Sequence, residues 1–110
     1  MKHQTREDGG AVVIALEGDV DLKTSPDARK ALLDVVSRNR PVVVDLSLVN
    51  YIDSSGVASL IEAFQKARKS GQKFALAAVS EGAMRVLNLA RMDKVFTICP
   101  SVSEGLAKVR

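Results

Sequence analysis

The chain has few of the residues from which disulfides, metal sites and base-stacking surfaces are built. Its 110 residues include one cysteine, one histidine and no tryptophan, and aromatic residues make up 4% of the total. The single cysteine, Cys99, cannot close an intrachain disulfide. No pair of His or Cys residues has the spacing of metal ligands, and the lone histidine is His3. We therefore expect no metal and no cofactor, and few aromatic rings on which bases would stack.

No hydrophobic run is long enough to span a membrane. The longest stretch without a charged residue is Val95–Ser103, nine residues, whereas a spanning helix needs about 20 apolar residues. The N-terminal residues are polar, with no signal-peptide core, and no Asn-x-Ser/Thr acceptor is present. Together with the single cysteine, these absences predict a cytoplasmic protein without membrane insertion.

A dense basic surface and a phosphate-binding loop are both missing. Lysine and arginine total 16 against 13 acidic residues, a formal net charge of +3, and acidic residues interrupt nearly every basic stretch. We therefore expect no direct contact with nucleic acid. The basic stretch Gln65–Lys69 is interpreted as the end of a helix, where cations complement the dipole. No GxGxxG or GxxxxGK[ST] loop is present, so a bound nucleotide is not expected.

Apolar residues are 46% of the chain, enough for the core of one domain, and we expect residues 1–110 to form a single domain. Apolar runs indicate buried strands, and apolar residues three or four apart indicate amphipathic helices. The predicted elements are a hairpin turning at Gly9-Gly10, a helix from Thr24 or Ser25 to about Arg38, a strand at 42–46, a helix from about 57 to Gly71, a strand at 74–79, a helix from 80 to about 91, a strand at 95–98 and a helix after Pro100. This order, β-β-α-β-α-β-α-β-α, predicts an α/β fold in which four helices flank a mixed sheet of four to five strands.

The most informative segment, Tyr51–Val57, lies between a predicted buried strand and an amphipathic helix. Ser54, Ser55 and Gly56 directly follow Asp53. The first N–H groups of a helix lack intrahelical partners and the dipole is positive there, so a phosphoryl group on a serine is accommodated with little distortion. A glycine lets a partner approach the serines closely. The same residues also suit an ordinary helix start, with Asp53 or Ser54 as N-cap and no special role for Gly56.

Several stretches carry a resemblance to a known family. They are VVVDLSLVNYIDSSGVASLIEAF at 42–64, GDVD at 18–21, GQKF at 71–74 and LNLARMDKVF at 87–96. Together they resemble STAS domains of the anti-sigma factor antagonist family over nearly the whole chain. Ala58 departs from the family pattern, which has glycine there.

The resemblance implies a regulatory partner-binding protein. It implies a β-β-α-β-α-β-α-β-α domain that binds a serine-kinase anti-sigma factor, frees the sigma factor and is switched off by phosphorylation of Ser55, with Ser54 as the alternative. Asp21, Asp53 and Gly56 belong with the two serines to the implied partner-binding surface. A PP2C-type phosphatase is the further partner implied, and the free chain is expected to be a monomer.

Two other functions are weighed against this one. An enzyme would need a base near the serines, and Asp53, with an ordinary pKa near 4, is a weak one, so we expect no catalytic activity. STAS domains also occur as accessory subunits of ABC lipid-transport complexes, which is the alternative function. On the helix after residue 80, Met84 and Leu89 lie off the predicted inner face, so we expect them to be partly exposed.

Overall fold

Glycine or proline residues lie at several boundaries between the elements, among them Gly9-Gly10, Pro41, Gly71 and Pro100. The structure is a computed structural model that describes all residues, 1–110. Its main elements are β1 (Lys2–Asp8), β2 (Ala11–Val20), α1 (Ser25–Val36), β3 (Val42–Ile52), α2 (Ser54–Lys69), β4 (Phe74–Ala77), α3 (Glu81–Leu89), β5 (Thr97–Cys99) and α4 (Val102–Val109), with a 3₁₀ turn at Met92–Lys94. The predicted order and number of strands and helices are therefore confirmed.

The five strands form one mixed sheet in the order β1-β2-β3-β4-β5. β1 pairs antiparallel with β2, and Asp8 lies opposite Ala11 across the turn. Gly9 and Gly10 both have positive φ, 56° and 86°, which glycine adopts without strain. All other strand pairs are parallel. β1 is an edge strand whose side chains are largely exposed, as its polar sequence predicts.

Different helices cover the two faces of the sheet, because side chains alternate along a strand. α1, α2 and α3 cover one face and form the main core with these strand residues: Val12, Ile14, Leu16, Val20, Val42, Val44, Leu46, Val49, Ile52, Phe74 and Leu76. α4 alone covers the other face, in a smaller cluster of Ala11, Val13, Val43, Ala75, Ala77, Leu106 and Val109. The fully apolar run at the start of β2 is explained by this double coverage.

Several predicted boundaries were wrong. β3 continues to Ile52 rather than ending near residue 46, because β2 pairs with it as far as Val20 opposite Ile52. Two register shifts interrupt that pairing, one between Ala15 and Glu17 and one between Gly18 and Asp19, and exposed residues enter the strand there. α2 begins at Ser54, three residues before the apolar pattern starts. No helix combines the length and apolarity that crossing a membrane requires.

Candidate functional site

Two loops lie side by side where β2 and β3 end. Val20 and Ile52 are paired as the last residues of these parallel strands, and the Asp53 backbone N–H donates to the Val20 carbonyl at 3.1 Å. The loop 21–24 and the start of α2 therefore share the carboxyl edge of the sheet. Open α/β sheets commonly place their binding sites at this edge.

Asp53 holds the two loops together. It is the N-cap of α2 in an extended conformation, and its Oδ1 accepts from the backbone N–H groups of Ser55 (2.9 Å) and Gly56 (3.1 Å). Its Oδ2 accepts from the backbone N–H of Leu22 at 3.1 Å. Replacing Asp53 would therefore leave N–H donors unpaired in both loops at once. Asp53 is an ordinary N-cap, as one of the two interpretations of the sequence had it, and it also bridges the two loops.

The Ser55 hydroxyl is already engaged by this carboxylate. Ser55 Oγ donates to Asp53 Oδ1 at 2.5 Å. This hydrogen bond is the largest cause that lowers the pKa of Asp53, partial desolvation opposes it, and the three backbone N–H bonds add to the lowering. Asp53 is therefore held ionised, which makes it a poor proton acceptor and a strong hydrogen-bond acceptor.

The two serines face different grooves on either side of α2. Ser54 is exposed, whereas Ser55 is half-buried. Ser54 lines an apolar groove between α2 and α3, together with Val57, Ala58, Ile61, Val86, Leu89 and Ala90. Ser55 lines a polar groove between α1 and α2, together with Ser25, Pro26, Arg29, Ala58, Ser59 and Glu62. A modification on one serine therefore meets different neighbours from a modification on the other.

Asp21 lies in the neighbouring loop, but its carboxylate accepts hydrogen bonds from residues of the same turn. Asp21 Oδ1 accepts from the backbone N–H groups of Lys23 (3.0 Å) and Thr24 (3.1 Å) and from Thr24 Oγ1 (3.2 Å). Its own N–H donates to Thr24 Oγ1 at 2.9 Å. The structure thus places Asp21 beside the serine loop, joined to it through the bond from Leu22 to Asp53, and gives it a structural role in the turn before α1.

Gly56 is buried, and neither role considered for it from the sequence, room for a partner or no special role, explains its lack of a side chain. A Cβ atom at this position would lie 2.6 Å from Ile52 Cγ1 and 2.7 Å from the Val20 carbonyl oxygen. The missing side chain therefore allows α2 to close onto the ends of β2 and β3. The space that the missing side chain leaves faces Ile52 and Val20 rather than a partner. Gly56 thus lies beneath the surface that carries the two serines.

Two exposed apolar side chains lie beside the site. Leu22, whose N–H bonds to Asp53, is 79% exposed, and Leu89, which lines the groove of Ser54, is 81% exposed. Met84 on α3 is half-buried. The partial exposure expected for Met84 and Leu89 is confirmed. Leu22 was missed, because one leucine in a polar loop carries no periodic signal. The pair Arg29–Glu62 was also missed, since its two members are 33 residues apart.

The comparisons with known proteins agree with this fold. A profile of the STAS domain family matches residues 2–105. The anti-sigma-F factor antagonist RsfB of Mycobacterium tuberculosis is 30% identical over 102 residues, which cover 92% of this chain and 83% of that protein. An anti-sigma factor antagonist from Mycobacterium paratuberculosis has a crystal structure with TM-score 0.90 and 28% identity, covering 99% of this chain and 93% of that one. The phosphorylated form of Bacillus SpoIIAA shares the fold at 17% identity and TM-score 0.73, over 99% of this chain and 100% of that one.

A five-stranded mixed sheet flanked by four helices, matched by the STAS family profile, is a small α/β domain of the STAS class. The chain belongs to the STAS domain family, among its anti-sigma factor antagonists. The relatives named above are regulators, and none of their names refers to a catalysed reaction. No group of three His, Cys, Asp or Glu side chains is arranged to hold a metal ion.

Proposed function

We propose that this chain binds a serine-kinase anti-sigma factor, so that the sigma factor is released, and that phosphorylation of Ser55 ends the binding. One observation supports the proposal most: the Ser55 hydroxyl lies at the surface edge of α2, held by a carboxylate that also organises the neighbouring loop. A change at this one hydroxyl therefore acts on both loops of the candidate surface.

The chemistry of the switch is a phosphoryl transfer performed by the partner kinase. Ser55 Oγ attacks the γ-phosphorus of ATP, the new Oγ–P bond forms and the bond from that phosphorus to ADP breaks. The serine proton leaves to a base on the kinase. Esterification removes the hydroxyl proton, so the hydrogen bond from Ser55 Oγ to Asp53 Oδ1 is lost. A PP2C-type phosphatase is the proposed partner that hydrolyses the ester and restores the hydroxyl.

Charge explains why the modified surface would lose its partner. Phosphate adds about −1.5 to −2 charges at pH 7, next to the ionised Asp53 and one loop away from Asp21. Any acidic or apolar partner surface fitted to the free serines then meets repulsion and a desolvation penalty. The exposed Leu22 beside this loop adds apolar contact area to the proposed surface.

The domain itself is expected to keep its fold when it is modified. A negative charge in the first turn of α2 interacts favourably with the helix dipole by about 0.3–1 kcal/mol, which offsets repulsion from Asp53. The proposed switch therefore acts on binding and leaves folding largely unchanged. The phosphorylated form of Bacillus SpoIIAA, which keeps the same fold, is in line with this expectation.

The first experiment is phosphorylation with the purified cognate kinase and ATP, followed by mass spectrometry of the wild type, Ser55→Ala and Ser54→Ala. We expect one phosphate, on Ser55, that is lost only in Ser55→Ala. Phosphate on Ser54 would keep the switch and change its residue. Phosphate only on Thr24, Ser70 or Ser80 would refute the proposal.

An accessory subunit of an ABC lipid-transport complex is the second candidate function. Affinity capture from native lysate separates the two, because each predicts a different partner. Recovery of a small ATP-binding kinase with its sigma factor supports the proposed function. Recovery of an ABC ATPase supports the alternative. We also propose that residues 1–110 act as one domain that is monomeric when free, which size-exclusion chromatography with light scattering tests.

A further inference from the structure

The polar groove between α1 and α2, which we call the α1–α2 groove, is lined by one cationic side chain that has no role in the switch proposed above. Of the residues that line this groove, given above, only Arg29 is basic and only Glu62 is acidic. Ser55 lies in the same groove. A phosphate on Ser55 would therefore enter a groove that already contains one guanidinium group.

Contacts between the helices place this guanidinium on the same side of α2 as Ser55. Ser59 Oγ lies 3.1 Å from the Ser55 carbonyl and 3.4 Å from the Ser25 carbonyl of α1. Arg29 is one turn beyond Ser25, and Glu62 is one turn beyond Ser59. Ser55 and Glu62 are thus two turns apart, about 10 Å along the helix axis. Side chains on a helix generally lean toward its N-terminus, so we expect Glu62, and with it Arg29, to lean toward Ser55 in the groove that all three line.

In the unmodified chain the Arg29 guanidinium is paired with the Glu62 carboxylate. Arg29 Nε donates to Glu62 Oε2 at 2.5 Å, and Nη2 donates to Oε1 at 2.8 Å. The mutual hydrogen bonds raise the pKa of Arg29 and lower that of Glu62. Both side chains are about half exposed, 53% and 44%. Exposed pairs of this kind contribute little to stability, so the guanidinium can exchange partners at small cost.

We propose that, once Ser55 is phosphorylated, the α1–α2 groove holds the phosphate and Arg29 is its cationic ligand. This inference rests on the proposed function, in which Ser55 is the modified residue. A phosphoserine dianion carries more charge than the Glu62 carboxylate and offers three acceptor oxygens, which suit the planar donors of arginine. Asp53, which accepts from Ser55 Oγ and does not line the groove, would repel the phosphate, whereas Arg29 would attract it.

Ser54 provides an internal comparison. No residue that lines its groove, between α2 and α3, carries a charge. A phosphate on Ser54 would therefore have no cation in its groove, and Arg29 would affect it only weakly. The proposed site thus distinguishes the two hydroxyls by the groove that each one faces.

The test uses full-length chains with phosphoserine inserted during translation at position 55 or 54, so that no kinase is required. The second pKa of the phosphate, ordinarily about 6, is measured by ³¹P NMR across a pH titration. A nearby cation favours the dianion and lowers this pKa. At position 55 we expect Arg29→Gln to raise the pKa by about half a unit or more, Arg29→Lys to restore most of the difference, and Glu62→Gln to lower the pKa further. At position 54 these variants should change it by much less.

Arg85→Gln is the matched control, because Arg85 pairs with Glu81 on α3, outside the groove. Equal pKa values for phosphoserine 55 in the wild type, Arg29→Gln and Glu62→Gln would overturn the proposal, as would an equal effect of Arg85→Gln. If Arg29→Gln fails to fold, Arg29→Lys and Glu62→Gln still test the proposal. An unchanged phosphate pKa in Glu62→Gln would refute the exchange of Arg29 from Glu62 to the phosphate. A kinase that modifies neither Ser55 nor Ser54 would refute the proposed function and leave this result standing.

Discussion

Gly56→Ala tests how tightly α2 is packed onto the sheet beneath the serine pair. The new methyl carbon would lie 2.6 Å from Ile52 Cγ1, 2.7 Å from the Val20 carbonyl oxygen and 3.0 Å from Val20 Cγ1. Carbon atoms in contact normally lie about 3.5–4.0 Å apart, so α2 or the end of β2 must shift. The Val20 carbonyl is backbone and accepts the Asp53 N–H, so the shift also strains the joint between the two loops.

The expected loss of stability follows from two opposing terms. Alanine is the better helix former by up to about 1 kcal/mol, although less is gained in the first turn. Overpacking a tight contact costs typically about 1–3 kcal/mol, occasionally more. We expect a net destabilisation of roughly 1–2 kcal/mol, which for a domain near this size lowers Tm by about 4–15 °C.

Urea and thermal unfolding followed by circular dichroism measure this change. Ala58→Gly is the control in the same helix turn, because it removes a methyl group from an exposed position and should cost no more than about 1 kcal/mol through helix propensity. A Gly56→Ala variant as stable as the wild type, or more stable, would show that the contact is not tight and would refute this account of Gly56.

Three further predictions concern neighbouring residues. The pKa of Asp53 is lowered in the folded chain. Asp53 therefore contributes stability that is present above the ordinary carboxylate pKa of about 4 and is lost as pH falls through the lower folded value. Asp53→Asn should flatten the acid side of the stability–pH curve measured by urea titrations, and an unchanged curve would contradict this. Asp21→Ala should lower stability by about 0.5–2 kcal/mol and also impair partner binding or phosphorylation; a variant destabilised yet bound and phosphorylated normally would leave Asp21 only its structural role. Leu89 is exposed in the groove that Ser54 lines, so we expect it to add apolar contact area to the partner surface; Leu89→Ser should change stability by less than about 0.5 kcal/mol and weaken partner binding, whereas Leu87→Ala, at a fully buried position, should cost about 2–5 kcal/mol. Normal binding by Leu89→Ser would exclude that leucine from the interface.

The order of elements was predictable because each has a clear local pattern. The Val42–Leu46 run predicts a strand, and Pro26 at the start of α1 predicts where that helix begins. The second half of β3 was not predictable by the same route. Its exposed residues, including Leu48 and Tyr51, break the apolar run, and only pairing with β2 across two register shifts keeps them in the strand.

The site was predictable as a segment and not as a set of contacts. Asp53 and the two serines stand out because they are adjacent in sequence and precede a helical pattern. The bond from Leu22 to Asp53 and the pair between Arg29 and Glu62 join residues 31 and 33 positions apart. Such pairs depend on how the helices pack, and a single sequence carries no periodic signal for them.

The central claim is that phosphorylation of Ser55 gates binding to the anti-sigma factor. Calorimetric titration of the purified serine-kinase anti-sigma factor with the unmodified chain and with the chain carrying phosphoserine at 55 tests it most directly, with a melting curve of each to confirm folding. We predict that the phosphorylated chain binds at least about tenfold more weakly, a loss of about 1.4 kcal/mol, with both forms folded. Equal Kd values for the two folded forms would contradict the account.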